Sequence, residues 1–318
     1  MIDFTVAIRT YNGETRLPAL LDSLKVQKNL EAIRWEVVIV DNNSQDQTAQ
    51  VIQSYERDWP EGFPLRYFFE PRQGAAIARK RALEESQGEW VGFLDDDNIP
   101  ASDWVYTAYQ FGQTHAKVGA YGGRIHADFE IPPPKNFHRI ALYLAIVDHG
   151  DAAFCYDRHP QRLLPPGASI VIKRSAWLES VPKTLQLLGP TDQNLKSKGE
   201  DIELFSYLQQ GGWEIWYNPA MQCFHKIPAW RLERNYLLSM AWGIGLSRHH
   251  LRMIRLKPIQ RPFLFFLYWL NDFRKLSSAF IQKYRILKED IPSAFEVTLL
   301  ASICLSPIQS VLHFFSRR

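Results

Sequence analysis

Cysteine is scarce in this chain. Cys155, Cys223 and Cys304 are the three present among 318 residues, and they stand far apart. That spacing excludes a disulfide framework and zinc-finger pairs, and it fits a reducing compartment. No export signal is expected either. Met1-Ile2-Asp3 runs straight into a strand-like segment without a basic flank and apolar stretch, so the body is expected in the cytoplasm. There is no internal repeat and no low-complexity segment. Net charge is only +3, which selects no particular partner, and no nucleic-acid partner is expected.

What is present is enough apolar material for a sizeable core, 46% of residues, in a length that suits about two domains. The charge is unevenly placed. Residues 226–318 carry 15 Lys/Arg against 5 Asp/Glu, while residues 1–225 carry 22 against 29. An acidic body with a basic tail points the tail toward an anionic surface. The expected domains are residues 1–227 and a helical, aromatic-rich extension over 228–318.

Along the body, strand-like and helix-like stretches alternate. Strands are expected at 4–8, 35–40, 65–69 and 89–94, with helices near 16–28, 46–57 and 74–86. Strands 35–40 and 89–94 are almost wholly apolar, as for strands covered on both faces. The alternation predicts an α/β fold with a mostly parallel, doubly wound sheet. Val118–Ala127 reads as part of a strand pair, Pro132-Pro133-Pro134 as a loop, and 169–173 as a strand. A helix is expected from Glu200 to just before Gly211, and a late strand over Trp213–Tyr217.

In such sheets ligands bind beyond the carboxyl ends of the strands. Two of these strands end in acids: Val40-Asp41-Asn42-Asn43-Ser44 and Leu94-Asp95-Asp96-Asp97-Asn98. Three consecutive acids on an apolar strand need a positive counterpart. A hard divalent cation sharing its shell with phosphates supplies one; a solvated turn capping the next helix is the plainer alternative. In extended geometry Asp95 and Asp97 share a side. After the first strand the chain reads Arg9-Thr10-Tyr11-Asn12-Gly13, with no Gly-x-Gly-x-x-Gly, which argues against a dinucleotide-binding dehydrogenase. A tyrosine stands there instead, where a planar base could stack.

Four motifs in register carry a resemblance. Ala7-Ile8-Arg9-Thr10-Tyr11-Asn12, Val40-Asp41-Asn42-Asn43-Ser44-x-Asp46-x-Thr48, Gly74-x-x-x-Ala78-Arg79 and Phe93-Leu94-Asp95-Asp96-Asp97 resemble those of family 2 inverting glycosyltransferases over about residues 3–225. The resemblance implies a GT-A (Rossmann-like) fold. It implies that Thr10 and Tyr11 line the nucleobase site, that Asp41 accepts from the base, and that Arg79 approaches the nucleotide. Asp95 would meet the ribose or metal-bound water, Asp97 would ligate Mn2+ or Mg2+, and Asp96 fills the variable middle position of the nucleotide site. Gly199-Glu200-Asp201 resembles the family's Glu-Asp signature, so that Asp201 matches the catalytic base. Such a base must come within about 3 Å of the acceptor hydroxyl. Glu200 and the small segment Gly167-Ala168-Ser169 are placed at the donor and acceptor pocket. His225 matches a position where some relatives add a metal ligand. The Gln-x-x-Arg-Trp signature of processive synthases is missing; Gly211-Gly212-Trp213 follows Gln209-Gln210, which favours single transfers.

The implied activity is transfer of a sugar from a nucleoside-diphosphate sugar, with UDP as the expected nucleotide, to a glycan or lipid-linked acceptor in exopolysaccharide synthesis. The whole-chain pattern, including His225-Lys226-Ile227-Pro228, is most similar to cyanobacterial hormogonium-polysaccharide glycosyltransferases. The rivals are a nucleotidyltransferase, for which residues 9–16 lack the glycine-rich basic loop, and a non-catalytic carbohydrate-binding scaffold, against which the intact acids argue. In the tail, Pro262–Leu270 is aromatic but short, and Val297–Phe315 is 19 residues without a formal charge. Its serines and His313 favour a helix lying in the plane of a membrane over one spanning it, with Arg317-Arg318 closing it. A helix packed on the body is the alternative. Peripheral attachment at the inner face of the plasma membrane is the expectation.

Overall fold

A computed structural model describes residues 2–159, 162–189 and 198–316, with side chains as far as Ile308 and Gln309. Arg317, Arg318 and the side chain of His313 lie outside the described residues. The first half alternates as the apolar periodicity demands: β1 (Phe4–Thr10), α1 (Leu17–Lys25), β2 (Trp35–Asp41), α2 (Thr48–Arg57), β3 (Leu65–Phe69), α3 (Ala75–Glu85) and β4 (Trp90–Asp95). These four strands are parallel, and their register aligns the carboxyl ends. Thr10 lies beside Asp41, Asp41 beside Phe69, and Arg9 beside Asp95.

Strand alternation separates two buried faces. Val6, Ile8, Val37, Ile39 and Leu94 join α1, α2 and α4 (Trp104–Thr114) in one apolar cluster. On the other face α3 packs on β1 and β2 through small residues such as Ala78 and Ala82. At the amino ends a buried network ties the strands together: the Thr5 hydroxyl donates to Glu36 at 2.8 Å, Arg66 and the Gln87 amide donate to the same carboxylate, and the Gly88 amide donates to Thr5.

Beyond β4 the sheet becomes mixed. The remaining strands are β5 (Asn98–Pro100), β6 (Val118–Phe129), β7 (Phe154–Cys155), β8 (Ile170–Lys173) and β9 (Glu214–Ile227), with α5 (Arg174–Ser180) and α6 (Glu200–Gln210) between the last two. The order is β3-β2-β1-β4-β8-β6-β9-β5, with β7 also on β9. β8 runs antiparallel to β4, and β5 and β7 antiparallel to β9. The parallel arrangement therefore holds from β3 to β4 and not past it. Two readings of the sequence change. Val118–Phe129 is one long strand. The late strand continues past Tyr217 and Pro219 to Ile227, because β9 changes partners around the proline, using Trp216 and Tyr217 for β7 and Cys223 to His225 for β5. The Ala220 amide is satisfied by the Asn218 side chain at 3.1 Å.

The chain divides into two compact units. One comprises Met1–Asp128, Leu142–Thr184 and Tyr207–Ile227; the other comprises Phe129–Ala141, Leu185–Ser206 and Pro228–Arg318. The second is helical, with α7 (Arg234–Leu246), α8 (Arg248–Ile254), α9 (Arg261–Lys283) and α10 (Ile291–Ser316). Within it α10 lies against α7 at close range: a Cβ on Gly245 would meet the Ser302 hydroxyl at 1.8 Å and the Leu299 carbonyl at 2.7 Å. Ser302 and Ser306 are buried here, bonded to backbone carbonyls, so these two serines do not mark a wet face of an in-plane helix as the sequence suggests. Small polar groups serve the close helix approach instead.

In the first unit Gly123 of β6 allows a similar approach, since a Cβ there would meet the Met221 carbonyl oxygen of β9 at 2.0 Å. Backbone cannot swing aside as a side chain can. Gly123→Ala is expected to lower stability by about 2 kcal/mol in urea unfolding; an unchanged midpoint would contradict this packing.

Candidate functional site

The register brings the acids of two strands to one edge, and the loops that follow bind them. β4 ends at Asp95, whose carboxylate receives the Nε of Arg9 at 2.8 Å from the neighbouring strand. Asp96 and Asp97 form the turn before β5. Asp96 is buried and held at both oxygens. Arg16 donates from Nε at 2.8 Å and from Nη2 at 2.9 Å, and the Thr10 hydroxyl donates at 2.6 Å. Burial pushes the Asp96 carboxyl above the ordinary carboxylate range, and the Arg16 hydrogen bonds pull it back. The same guanidinium donates to the Tyr11 carbonyl at 2.9 Å, so Arg16 braces the first loop onto the acidic turn.

Asp97 faces a different partner. Pairing of β5 with β9 sets Asn98 opposite His225, and the Lys226 amide donates to the Asp97 carbonyl at 3.0 Å. His225 Nδ1 lies 2.9 Å from the Leu144 carbonyl, which can only accept, so Nδ1 carries a proton. Its Nε2 then faces an Asp97 carboxylate oxygen at 3.4 Å, with both side chains buried. A neutral imidazole nitrogen and a carboxylate oxygen facing each other at this range repel unless a cation or proton stands between them. An imidazole oriented through its far nitrogen is the usual support of a metal-ligating histidine. Among the described residues no three His, Cys, Asp or Glu side chains converge as a metal cluster. Asp97 and His225 thus fit a cation that completes its shell from phosphate oxygens and water, as Mg2+ and Mn2+ do.

The remaining expected residues of the first unit lie along the same strand ends. Asp41 accepts from the Ser44 amide at 2.9 Å and from the Tyr67 hydroxyl at 3.1 Å. The loop after β1 is tied to the loop after β2: the Asn12 amide donates to Ser44, and the Gly13 amide to Thr48 at 2.8 Å. Asn42 secures the start of α3 by accepting from the Gly74 amide at 2.8 Å. Arg79 of α3 is buried, 3.4 Å from the Gly167 carbonyl and over the Phe93 ring. Ser169 has φ of 50° and accepts from the Trp104 indole at 3.0 Å, which fixes the turn of Gly167-Ala168-Ser169.

In the second unit α6 begins with Glu200, Asp201 and Glu203 in its first turn, where acids complement the helix dipole. Asp201 accepts from the Ile202 amide at 2.8 Å, and Glu200 from the Gly199 amide at 3.2 Å. Glu203 is wholly buried, accepts from the amides of Gln186 and Leu187, and has His250 at 3.3 Å. Lys198 is only half-buried as a residue, yet desolvation lowers its ammonium from the ordinary 10.5 to about 8, against the pull of Glu200 and Asp201.

Sequence reasoning did not find Arg16, Glu203 or Lys198. Arg16 had a signal, a lone base in the loop facing an acidic triplet. The other two had none, since acids and lysines at a helix start are ordinary.

Residues 5–178 match the family model described as Glycosyl transferase family 2. The chain is 24% identical over 260 residues to succinoglycan biosynthesis protein ExoM of Rhizobium meliloti, covering 78% of this chain and 77% of that protein. It is 31% identical over 115 residues to poly(ribitol-phosphate) beta-N-acetylglucosaminyltransferase TarS of Staphylococcus aureus, covering 36% of this chain and only 20% of that one. Among solved structures, mannosyltransferase PcManGT of Pyrobaculum calidifontis, in complex with GDP-Man and Mn2+, superposes with a TM-score of 0.61 at 20% identity, over 97% of this chain and 86% of that one.

Two outcomes follow from this geometry. Arg16→Ala leaves Asp96 buried without its cation and is expected to cost about 2 kcal/mol in chemical denaturation, a value kept modest because Arg16 is partly exposed. Arg16→Lys is expected to recover only part, because an ammonium cannot make the two-pronged contact. For Lys198, the unfolded chain holds more protons between about pH 8 and 10.5, so stability rises with pH across that window. Lys198→Met is expected to remove that rise and to stabilise the fold below pH 8, read from unfolding midpoints against pH. An unchanged slope would exclude the lysine from this balance.

Proposed function

The chain belongs to glycosyl transferase family 2, and on that premise we propose that it is an inverting, single-transfer hexosyltransferase using a nucleoside-diphosphate sugar. The observation that carries the reading is the row Thr10, Asp41 and Asp95 along aligned strand ends, with the Asp97 and His225 pair beside it. Thr10, Tyr11 and Asp41 receive the nucleobase, with UDP as the nucleotide. Asp95 is assigned to the ribose side and Arg79 to the nucleotide, while Asp96, clasped by Arg16 and Thr10, keeps the turn in shape. Asp97 and His225 would hold Mn2+ or Mg2+, which supplies positive charge to the departing diphosphate. Gly167, Ala168, Ser169 and Glu200 are assigned to the donor and acceptor pocket.

Asp201 is assigned the base. The acceptor oxygen bonds to the anomeric carbon as the bond from that carbon to the diphosphate oxygen breaks. The hydroxyl proton passes to the carboxylate, and configuration inverts. Residues 1–227 serve donor chemistry, and 228–318 serve attachment, which is peripheral and at the inner face of the plasma membrane. The name of ExoM, a succinoglycan biosynthesis protein, supports a place in polysaccharide synthesis, and within it a glycan or lipid-linked acceptor in exopolysaccharide assembly of the cyanobacterial hormogonium kind is part of the proposal.

The test is incubation with UDP- and GDP-sugars and Mn2+, with slow hydrolysis to the nucleoside diphosphate as the expected result. Chelation should abolish it. Asp97→Asn is expected to lose metal-dependent donor binding by calorimetry. Asp201→Asn should keep that binding and lose transfer by about a thousandfold. Pyrophosphate release would identify a nucleotidyltransferase instead, and absence of any metal-dependent nucleotide binding would leave a scaffold.

A further inference from the structure

Helix α9 is amphipathic in an unusual sense, because its outward face is the apolar one. The inward face carries the polar anchors. Asp272 is buried and paired with Arg252 of α8, with one contact at 2.9 Å, and Lys283 is paired with Glu296 of α10. Trp269 adds a hydrogen bond from its indole to the Cys304 carbonyl at 3.0 Å. Opposite that face stand Phe263, Phe266, Leu267 and Leu270, at spacings of three, four and seven residues that place them on one stripe, and Ile281 returns to the same line three turns later. Phe266 is 65% exposed and Leu270 70%. At 1.5 Å per residue the helix extends for roughly 35 Å.

Charge selects the occupant. Residues 255–288 carry eight Lys/Arg and one acid, Asp272, which is the buried partner of Arg252. Arg261, Arg274, Lys275 and Arg285 are exposed, with Arg274 in line with the stripe one turn after Leu270. Aromatic and aliphatic side chains edged by basic ones suit the headgroup boundary of an anionic bilayer. A second copy of the same face would bring two strongly basic surfaces together, which opposes self-association. The rival within this unit is α10, which is long and apolar enough to cross a membrane over Ile291–Gln309, with mean hydropathy 1.6. Its Phe295, Ile303 and Cys304 are buried, and its contacts are with α7, α8 and α9.

We propose that the outward face of α9 is an in-plane docking surface for anionic lipid, with α10 as the packed helix that supports it. The assignment rests on the peripheral-attachment reading and specifies its element and its lipid chemistry.

The test is co-sedimentation of the full chain with vesicles of phosphatidylglycerol and phosphatidylcholine, and with phosphatidylcholine alone. The chain is expected to bind the anionic vesicles preferentially, and less so as salt is raised. The double variant Phe266→Glu, Leu270→Glu should bind at least about tenfold more weakly, with donor hydrolysis unchanged as the check on folding. Leu305→Gln, on the exposed part of α10, should bind as the parent does. If the parent binds no vesicle, both the attachment reading and the α9 assignment fail. If parent and double variant bind equally, α9 alone is excluded. A parent dimer that the double variant dissolves, with no vesicle binding, would overturn the proposal in favour of a second copy.

Discussion

The acidic turn after β4 is where the first unit concentrates its electrostatic difficulty. An almost wholly buried strand delivers Asp95, Asp96 and Asp97 in succession, and each carboxylate has a different answer. Asp95 takes Arg9 from the adjacent strand, Asp96 takes Thr10 from the end of β1 and Arg16 from the loop after it, and Asp97 faces His225 from β9. Three like charges this close would drive protonation or unfolding without such partners. The first loop is shaped by that demand. A Cβ on Gly13 would meet the Thr10 hydroxyl at 2.1 Å and the Asp96 carboxylate at 2.9 Å, so the loop closes on the acid through a glycine rather than cradling a phosphate with several.

The two ends of the parallel strands use polar groups differently. At the amino ends, Thr5, Glu36, Arg66 and the amides of Gln87 and Gly88 bond mainly to one another, and the network joins three strands to the turn before β4. A closed network of that kind rigidifies the sheet. At the carboxyl ends three clustered carboxylates are each answered by a different group, and the His225 Nε2 and Asp97 oxygen, 3.4 Å apart, call for a proton or a cation between them. The contrast follows the general placement of ligands in open α/β sheets, with a closed network at one end and clustered acids at the other.

Much of this order was legible in the residues. Apolar runs bounded by acids located β2 and β4, and the alternating stretches located α1 to α3, because local periodicity and burial coincide there. Legibility failed where pairing decides. Pro219 reads as a strand end, yet β9 continues because its two halves use different neighbours. Val118–Ala127 reads as an element of a strand pair, but its neighbours, β8 and β9, are set by the fold. The acids of the triplet were visible as a group, but the commitment of Asp96 to Arg16 was not, since that contact spans 80 residues and depends on how the first loop folds back. The pairing of His225 with Asp97 likewise needs the β5 and β9 register.

The tail shows the limit of hydropathy as a guide to what a helix meets. α10 has the more apolar composition, and a reader of composition alone turns to it for the membrane. Its serines and core side chains are already committed to neighbouring helices, because Gly245 lets α7 approach within hydroxyl contact of Ser302. α9 averages less apolar because Asp272, Lys283 and other polar residues dilute it, yet Asp272 and Lys283 are turned inward and paired. Pairing the polar face inward leaves the aromatic face to the outside. A mean over residues cannot register this, whereas the angular position of each side chain relative to its ion pairs can. Which helix keeps an open apolar face is therefore decided by which faces the neighbouring helices have already taken.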